Sequence, residues 1–426
     1  MSPVTRIELL PGVHLTAVHT GKFKSSLLSV SLLASLSSGK AAANALVPYL
    51  LHRGCKAYPD MQSISAALDN LYGGALEGYV RKKGEVQCLS FVGSFLDDAY
   101  TLDGSAILDR ATGLMGQLLL DPVTEDGVFR KDYTEQEKVH LIDKIRGEVN
   151  DKRSYASLRV VQSMCDGEPY GVSRLGTEAE VAALTPEMVW EAYQSLISTA
   201  PIELYYCGSA DPQRVAESFR KALNGLPRLG RFQLANTSVL NFAGSVRRVE
   251  ECLDVAQGKL TMGFRTGGIT AASQAYPALV LCNALFGGTT TSKLFLNVRE
   301  KLSLCYYASS VVHKYKGIMV VSSGVEFANA QRAEEEILRQ LEVCRRGEFE
   351  PWEVEGGRAN MISGLRTMLD SQGRQEDWWL GQAIFGLTEA PEELAERLKA
   401  VTVDQTVAAA KGLSLDTVYF LKGAEA

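Results

Sequence analysis

The side chains best suited to chemistry are an arginine and a tyrosine in the stretch from Leu285 to Ala308, LFGGTTTSKLFLNVREKLSLCYYA. Apolar residues at helical spacing predict a helix from Ser292 to Leu302 that carries Arg299 close to its end. An alternating pattern follows and predicts a strand on which Tyr306 and Ala308 share one face. We therefore expect Arg299 and Tyr306 to approach each other at the rim of a sheet. Spacing alone also fits a solvated helix-end arginine and a half-buried strand tyrosine.

A pair of glycines opens this stretch, and a similar pair occurs in the first half of the chain. The segment Leu71-Tyr72-Gly73-Gly74 matches Leu285-Phe286-Gly287-Gly288 at an offset of 285 − 71 = 214 residues, and half of 426 is 213. A helical pattern precedes each pair and two strand patterns follow it. We expect the glycines to end each helix by adopting positive φ. The repeat predicts two homologous halves.

Strand patterns and helix patterns are grouped rather than alternating, and the grouping runs twice, which is typical of an α+β fold. We predict that each half is a mostly antiparallel sheet with helices packed on one face. A shift in composition between Gly225 and Ser245 marks a linker. The predicted organisation is an N-terminal domain at 1–224, a linker at 225–245 and a C-terminal domain at 246–426.

Three element predictions bear on this fold. Ser25 to Ser35 is aliphatic, rich in small residues and uncharged, which favours a buried central strand. Asp97 to Leu120 and Phe129 to Arg153 have helical periodicity and are predicted as two long helices.

Composition and charge exclude several classes of protein. Hydrophobic residues make up 46% and charged residues 22% of the 426 residues, so each half can bury a core. The net charge of −6 argues against a nucleic acid or an anionic membrane as partner. Neither a signal-peptide pattern nor an apolar run of about 18 residues is present. The eight cysteines are scattered without C-x-x-C spacing, so we expect reduced thiols in a cytoplasmic protein.

No metal or cofactor motif is evident. The five histidines include no pair at i, i+4, which a helical zinc site needs because only residues one turn apart face the same ion. GGTTTSK at Gly287 to Lys293 lacks the G-K-[ST] order of a phosphate-binding loop. We therefore predict no bound metal and no cofactor.

The segment VREKLSLCYYA, Val298 to Ala308, resembles the M16 metallopeptidases, the family of mitochondrial processing peptidase, the cytochrome bc1 core proteins and insulinase-like peptidases. The resemblance covers essentially the whole chain and implies two domains that form a clamshell half. Family members carry V-R-E-K-x-G-L-A-Y-S here, and Arg299 and Tyr306 match the residues that hold the substrate peptide beside the zinc. The family glycine is Ser303 in this chain.

The first half departs from the zinc motif of the family. Aligning H-F-L-E-H-x-x-F-K-G-T with ALVPYLLHRGC, Ala45 to Cys55, places Ala45 and Tyr49 at the histidine ligands and Pro48 at the glutamate base. The third ligand falls near Lys144, with Glu148 as a less favoured substitute. The resemblance is thus to the zinc-less members, which pair with a zinc-bearing sister. The whole pattern, including DTVYFLKG at Asp416 to Gly423, also looks similar to the zinc-less member of a bacterial pair linked to elongation factor P modification.

These observations favour a non-zinc subunit that contributes peptide binding, through Arg299 and Tyr306, to a heteromeric peptidase. Its expected partners are a zinc-bearing M16 homologue, as a heterodimer, and a peptide or protein substrate. The competing interpretation is a scaffold or binding subunit without a proteolytic role, as in the core proteins. A third is an independent peptidase that uses residues such as His140 and Glu148.

Overall fold

The computed structural model describes residues 4–230 and 232–423, so Arg231 of the predicted linker and the three residues at each end of the sequence lie outside it. The elements of the first half are, in chain order, β1 (Val4–Leu10), β2 (Val13–His19), β3 (Ser25–Ser35), α1 (Ala41–Leu51), α2 (Met61–Asp69), β4 (Ala75–Lys83), β5 (Val86–Leu96), α3 (Ile107–Leu120), β6 (Thr124–Glu125), β7 (Val128–Phe129), α4 (Lys131–Gly147), α5 (Lys152–Met164), α6 (Glu178–Ala182), α7 (Pro186–Thr199), β8 (Ile202–Gly208) and α8 (Pro212–Ala222).

The second half begins after residues 223–246, of which the described ones form no helix or strand. Its elements are β9 (Arg247–Cys252), β10 (Gly258–Arg265), α9 (Tyr276–Asn283), two π-helical segments (Ala284–Gly288 and Leu294–Lys301), β11 (Cys305–His313), β12 (Ile318–Val325), α10 (Ala330–Arg346), α11 (Pro351–Met368), α12 (Gln372–Ile384), α13 (Pro391–Lys399), α14 (Val403–Gly412) and β13 (Ser414–Lys422). Among the described residues, no helix is both long enough and apolar enough to cross a membrane.

The chain divides into two compact units, and neither is continuous in sequence. Unit 1 contains Met1–Arg146, Val172–Asn236 and Ser371–Ile384, and unit 2 contains Gly147–Gly171, Thr237–Asp370 and Phe385–Ala426. The chain leaves unit 1 after Asn236, inside the segment at 225–245. Beyond that, α5 from the first half belongs to unit 2 and α12 from the second half belongs to unit 1, an exchange that a single boundary does not describe.

The sheet of unit 1 has six strands in the order β1-β2-β8-β3-β5-β4. The pair β2–β8 is parallel and the other pairs are antiparallel. β3 lies between β8 and β5 and is mostly buried, as its uncharged sequence predicts. β4 ends the order and is therefore an edge strand.

Two different sets of helices cover the two faces of this sheet. Leu32 of β3 belongs to the main core with α1, α3, α7 and α8. Its neighbour Leu33 points to the opposite face and packs in a second cluster with Leu380 of α12. The prediction that helices pack on one face of the sheet holds for the helices of the same half. The second face also carries apolar side chains, and α12 from the other half of the chain covers them.

A buried ion pair attaches α12 to that second face. Glu376, with 2% of its surface exposed, accepts two hydrogen bonds from Arg81 of β4, at 2.6 and 2.7 Å. It also accepts one from Ser29 of β3 at 3.1 Å. Burial lowers the pKa of Arg81, but the bonds to Glu376 offset this and leave that pKa above its ordinary value. The guanidinium therefore stays charged, and the pair joins α12 to β3 and β4.

The sheet of unit 2 repeats the topology of unit 1 without a counterpart of β1. Its order is β11-β12-β10-β13-β9, with β13–β9 parallel and the other pairs antiparallel. β9, β13, β10, β12 and β11 thus take the places of β2, β8, β3, β5 and β4. This agreement in order and direction supports the proposal of two homologous halves.

Helix α5 covers one face of the unit 2 sheet. Val160 and Met164 pack with Ile318 of β12 and Leu421 of β13. At Gly263 of β10 an added Cβ would lie 2.7 Å from the Met164 sulfur, so glycine leaves room for the Met164 side chain against the sheet.

A buried charge network follows α5 and fixes its end to the sheet. Arg265, whose side chain is 2% exposed, donates to Glu168 at 2.8 Å and to Asp416 at 2.7 Å. Lys316, whose side chain is fully buried, pairs with the same Glu168 at 2.6 Å. Burial raises the pKa of Glu168, but the bonds to Arg265 and Lys316 outweigh it and hold that pKa below its ordinary 4.5.

The predicted bounds of two helices are wrong, and so is the predicted conformation of the glycine pair Gly287-Gly288. The segment from Asp97 contains only a short 3₁₀ turn before α3, which begins at Ile107. The helix predicted from Phe129 to Arg153 ends at Gly147, and α5 starts as a separate helix. Gly287 and Gly288 do not adopt positive φ, since a π-helical segment continues through them. Gly287 is instead required by packing, because a Cβ there would lie 2.7 Å from Ser310 Oγ.

Replacing Glu376 by alanine should destabilise unit 1 by about 3 kcal/mol, since a largely buried guanidinium loses its two hydrogen bonds to a carboxylate and keeps only the longer ion pair to Asp377 at 3.6 Å. This is the low end of the usual range because a quarter of the Arg81 side chain is exposed. The midpoint of urea denaturation is the measurement. Glu355→Ala, which removes an exposed partner of Arg358, is the control and should change little. The double variant Arg81→Met/Glu376→Leu should be more stable than Glu376→Ala, and a Glu376→Ala protein as stable as the wild type would contradict this account.

The folding stability of unit 2 should decrease in acid because Glu168 becomes protonated. A carboxyl group with a depressed pKa stabilises the fold above its unfolded pKa, and this stabilisation is lost as the pH falls through its folded pKa. We expect Glu168→Gln to lower stability near neutral pH and to reduce the loss of stability below about pH 4.5. Denaturation midpoints measured between pH 3 and 7 test this, with Glu396→Gln, an exposed residue, as control. Parallel pH profiles for wild type and Glu168→Gln would refute it.

Candidate functional site

Two of the positions aligned with the zinc motif lie on the buried side of α1 and offer no ligand. Ala45 has no exposed surface, and its methyl group has no lone pair. Pro48 lies inside the helix, and its carbonyl oxygen accepts a hydrogen bond from the His52 amide at 3.2 Å. Neither residue can hold a metal ion or accept a proton from a metal-bound water.

The other two positions come together in space. Lys144 of α4 donates from Nζ to the Tyr49 hydroxyl at 3.0 Å. The same ammonium lies 4.8 Å from the centre of the Tyr49 ring, which adds a cation–π contact. Lys144 is exposed and Tyr49 is half-buried. The pair places a fixed positive charge beside α1.

A zinc ion does not fit this set of residues. Zinc needs three ligands with lone pairs, and an ammonium group repels a second cation. Across residues 4–230 and 232–423, no group of three or more His, Cys, Asp or Glu side chains is placed to hold a metal ion.

In the independent-peptidase interpretation, His140 already has a carboxylate neighbour. It lies 3.5 Å from Glu137, which also binds Arg53. His52, at the end of α1, bonds through Nε2 to the Leu76 carbonyl at 2.8 Å and thus serves to join α1 to β4.

Arg299 lies near the end of the second π-helical segment, as predicted for a helix-end residue. Its side chain is 40% exposed, with an ion pair to Glu300 at 3.4 Å. The guanidinium carbon lies 4.6 Å from the centre of the Phe295 ring. Phe295 supports the planar guanidinium from one side, and the hydrogen-bond donors of Arg299 remain available to a ligand.

Tyr306 is placed by a β-bulge in the edge strand β11. Cys305 pairs with Val325 and Tyr307 pairs with Gly324, so Tyr306 is the extra residue between them. Its ring is 59% exposed, whereas Ala308 is buried, and the prediction that these two share a face is wrong because the bulge interrupts the alternation. The hydroxyl donates to Glu326 at 3.4 Å, a long bond that leaves it accessible.

Arg299 and Tyr306 lie on either side of one turn. No hydrogen bond joins them, and each is paired with a different carboxylate. Ser303 adopts φ of 49° in that turn, a conformation that glycine takes without strain. Cys305 lies between them: burial raises the pKa of its thiol and the charge of Arg299 opposes that rise. The two side chains therefore flank a buried thiol at one end of β11.

The sequence did not predict that Tyr307 contacts α5, the helix from the first half of the chain that belongs to unit 2. Arg153 of α5 lies 4.2 Å from the centre of the Tyr307 ring and donates to Ser309 Oγ at 3.0 Å. Burial raises the pKa of Tyr307 to about 12. The Tyr306-Tyr307 pair is visible in the sequence, but only the bulge decides which ring is exposed and which packs under Arg153.

Comparison with known proteins gives the affiliation of the chain. Residues 183–361 match the family described as the peptidase M16 inactive domain. The chain is 33% identical over 412 residues, covering 96% of it and 95% of the relative, to a probable inactive metalloprotease, YmfF, of Bacillus subtilis. It is 24% identical over 163 residues, covering 38% of it and 39% of the relative, to an uncharacterized zinc protease of the same species, YmxG.

The fold is also found in a solved structure. A conserved protein from Enterococcus faecalis V583 has a TM-score of 0.90 and 27% identity, with 99% of each chain covered. The identity to the inactive Bacillus relative spans nearly the whole chain, and the aligned ligand positions carry side chains that cannot bind zinc. The chain belongs to the M16 peptidase family, as a homologue of its inactive metalloproteases.

Proposed function

We propose that this protein is the non-zinc subunit of a heteromeric M16 peptidase and binds the peptide substrate for a zinc-bearing homologue. The observation that carries the proposal is the contrast between the two halves. The aligned ligand positions hold Ala45, Pro48 and a Tyr49–Lys144 pair, whereas Arg299 and Tyr306 remain exposed at the end of an edge strand.

The geometry around Tyr306 suits an extended peptide. β11 is the last strand in its sheet, so its outer backbone groups have no strand partner among the described residues. A peptide can add to such an edge through main-chain hydrogen bonds. Arg299 can then donate to a peptide carbonyl, and the Tyr306 hydroxyl can add a second bond.

A zinc-bearing partner supplies what this chain lacks. Bacillus subtilis holds both a probable inactive metalloprotease and a zinc protease to which this chain is similar. A pair of such chains divides metal chemistry and peptide positioning between two subunits. In the alternative proposal, the protein is a scaffold or binding subunit without a proteolytic role, and Arg299 and Tyr306 bind no substrate peptide.

We also propose that the protein is cytoplasmic. All eight cysteines are free, and seven of them are buried. Unpaired thiols are the usual state in a reducing compartment.

The purified chain should hold no stoichiometric zinc and should cleave no unstructured peptide. Plasma mass spectrometry after exchange into chelator-free buffer measures the metal, and about one tightly bound zinc per chain would overturn this expectation.

The chain should also associate with a zinc-bearing M16 homologue from the same genome. Size-exclusion chromatography with light scattering, after co-expression, measures the assembly. If the chain stays monomeric in the presence of the homologue at concentrations well above micromolar, the proposal of a heteromer is wrong.

Within the complex, Arg299→Ala should lower kcat/KM roughly 10- to 150-fold, because a charge-assisted bond contributes about 1.5 to 3 kcal/mol to transition-state binding. Tyr306→Phe should cost less, about 0.5 to 1.5 kcal/mol, since it removes a neutral hydroxyl bond. Metal content and association should not change. Steady-state kinetics of the complex provides the measurement.

Matched controls separate this role from a general surface effect. Arg346 is also an exposed arginine near a helix end with a carboxylate partner, so Arg346→Ala should leave kcat/KM unchanged. Tyr100, an exposed tyrosine of unit 1, gives the control Tyr100→Phe. If Arg299→Ala retains wild-type kcat/KM, the peptide-binding role must be given up and the scaffold proposal remains.

A further inference from the structure

We propose that Tyr49 and Lys144 form a binding site for a peptide carboxylate next to edge strand β4 of unit 1. The inference rests on the proposed function, because it assumes that extended peptides bind this protein. It adds the chemical class of group that this half of the molecule recognises.

The pair presents hydrogen-bond donors and no free acceptor. One of the three ammonium hydrogens of Lys144 goes to the Tyr49 hydroxyl, which leaves two. The Tyr49 hydroxyl accepts that bond, and its own hydrogen has no acceptor among the described residues. Three donors in one place, one of them on a cation, fit the two oxygens of a carboxylate better than a neutral carbonyl.

In the described part of the chain, no carboxylate lies within ion-pair distance of the Lys144 ammonium. Asp143, which directly precedes Lys144 in α4, forms no ion pair with it. Contact with the Tyr49 ring holds the ammonium in place, so the charge is positioned rather than free to move.

The helix that carries Tyr49, α1, lies beside β4. The Pro48 carbonyl oxygen would be 3.1 Å from a Cβ at Gly78, so α1 approaches this strand closely one residue before Tyr49. Leu76 and Gly78 lie on the face of β4 that α1 covers. Glu77 points to the opposite face, where it accepts a hydrogen bond from Tyr79 at 2.5 Å. Glu77 is the one acidic residue of β4, so the face of the strand that α1 covers carries no negative charge.

β4 can present a backbone to an extended chain. It pairs with β5 on one side and, among the described residues, with no strand on the other. A peptide that adds to this edge brings its groups next to α1. The carboxylate can be the C-terminus of the peptide or an aspartate side chain, and both offer the same pair of oxygens.

The test uses an N-terminally fluorescein-labelled peptide of alternating valine and serine in three forms: the free acid, the C-terminal amide, and the amide with one internal aspartate. Fluorescence anisotropy with the full chain gives each Kd. We expect the free acid, or the aspartate form, to bind about 3- to 10-fold more tightly than the plain amide, since an exposed ion pair and one hydroxyl bond add to binding. Which of the two is preferred identifies the source of the carboxylate. The preference should shrink as sodium chloride is raised.

Variants assign the preference to the pair. Lys144→Met should abolish it, Lys144→Arg should retain it, and Tyr49→Phe should reduce it. Lys131→Met, at the start of the same helix, is the matched control and should bind as wild type. Equal Kd values for all three peptides, or a preference that survives Lys144→Met, would overturn the carboxylate site and leave the proposed peptide binding intact.

A second readout does not depend on peptide binding. Protein labelled with ¹³C-lysine is titrated with N-acetylglycine and with its amide, and the Lys144 Cε resonance is assigned by its loss in Lys144→Arg. A shift with N-acetylglycine but not with the amide supports the site even if the longer peptides do not bind, in which case the proposed function fails alone. Absence of any shift overturns the site.

Discussion

Each sheet of this protein has a face that helices of its own half do not cover, and the exchange of α5 and α12 meets that requirement. On the unit 1 sheet, α12 provides both the carboxylate of Glu376, which pairs with Arg81, and Leu380, which packs in a cluster with Leu33. On the unit 2 sheet the contact is apolar along α5 and ends in the network around Arg265 and Glu168. Both sheets therefore depend on a helix that arrives from a distant part of the chain.

The sequence allowed much of the fold to be predicted, because local patterns report local burial. The uncharged run from Ser25 to Ser35 is a central strand with neighbours on both sides. Both faces of such a strand are shielded from water, so its sequence contains no charged residues. The exchange could not be predicted in this way. The periodicity of α5 and α12 indicates that one side of each helix is apolar, but not which sheet that side will meet.

The candidate site shows the same limit at the scale of single residues. The resemblance placed Arg299, Tyr306, Tyr49 and Lys144 by alignment, but the contacts that define their chemistry depend on the fold. A strict alternation predicted Tyr306 and Ala308 on one face, and a single bulge residue exposes one and buries the other. The Tyr49–Lys144 bond joins two helices, and no spacing rule in one helix predicts it.

The distance along the chain between Arg81 and Glu376 has a consequence for synthesis. The two residues are 295 positions apart. At the usual 5 to 20 residues per second, a ribosome needs about 15 to 60 s to add the second after the first. During that time the nascent unit 1 sheet shows a face that carries the Arg81 guanidinium and the hydrogen-bonded hydroxyls of Ser31 and Ser90 beside apolar side chains such as Leu33. The polar groups can stay hydrated, but Leu33 and its apolar neighbours stay uncovered, so the unfinished face can adhere to other chains until α12 is made.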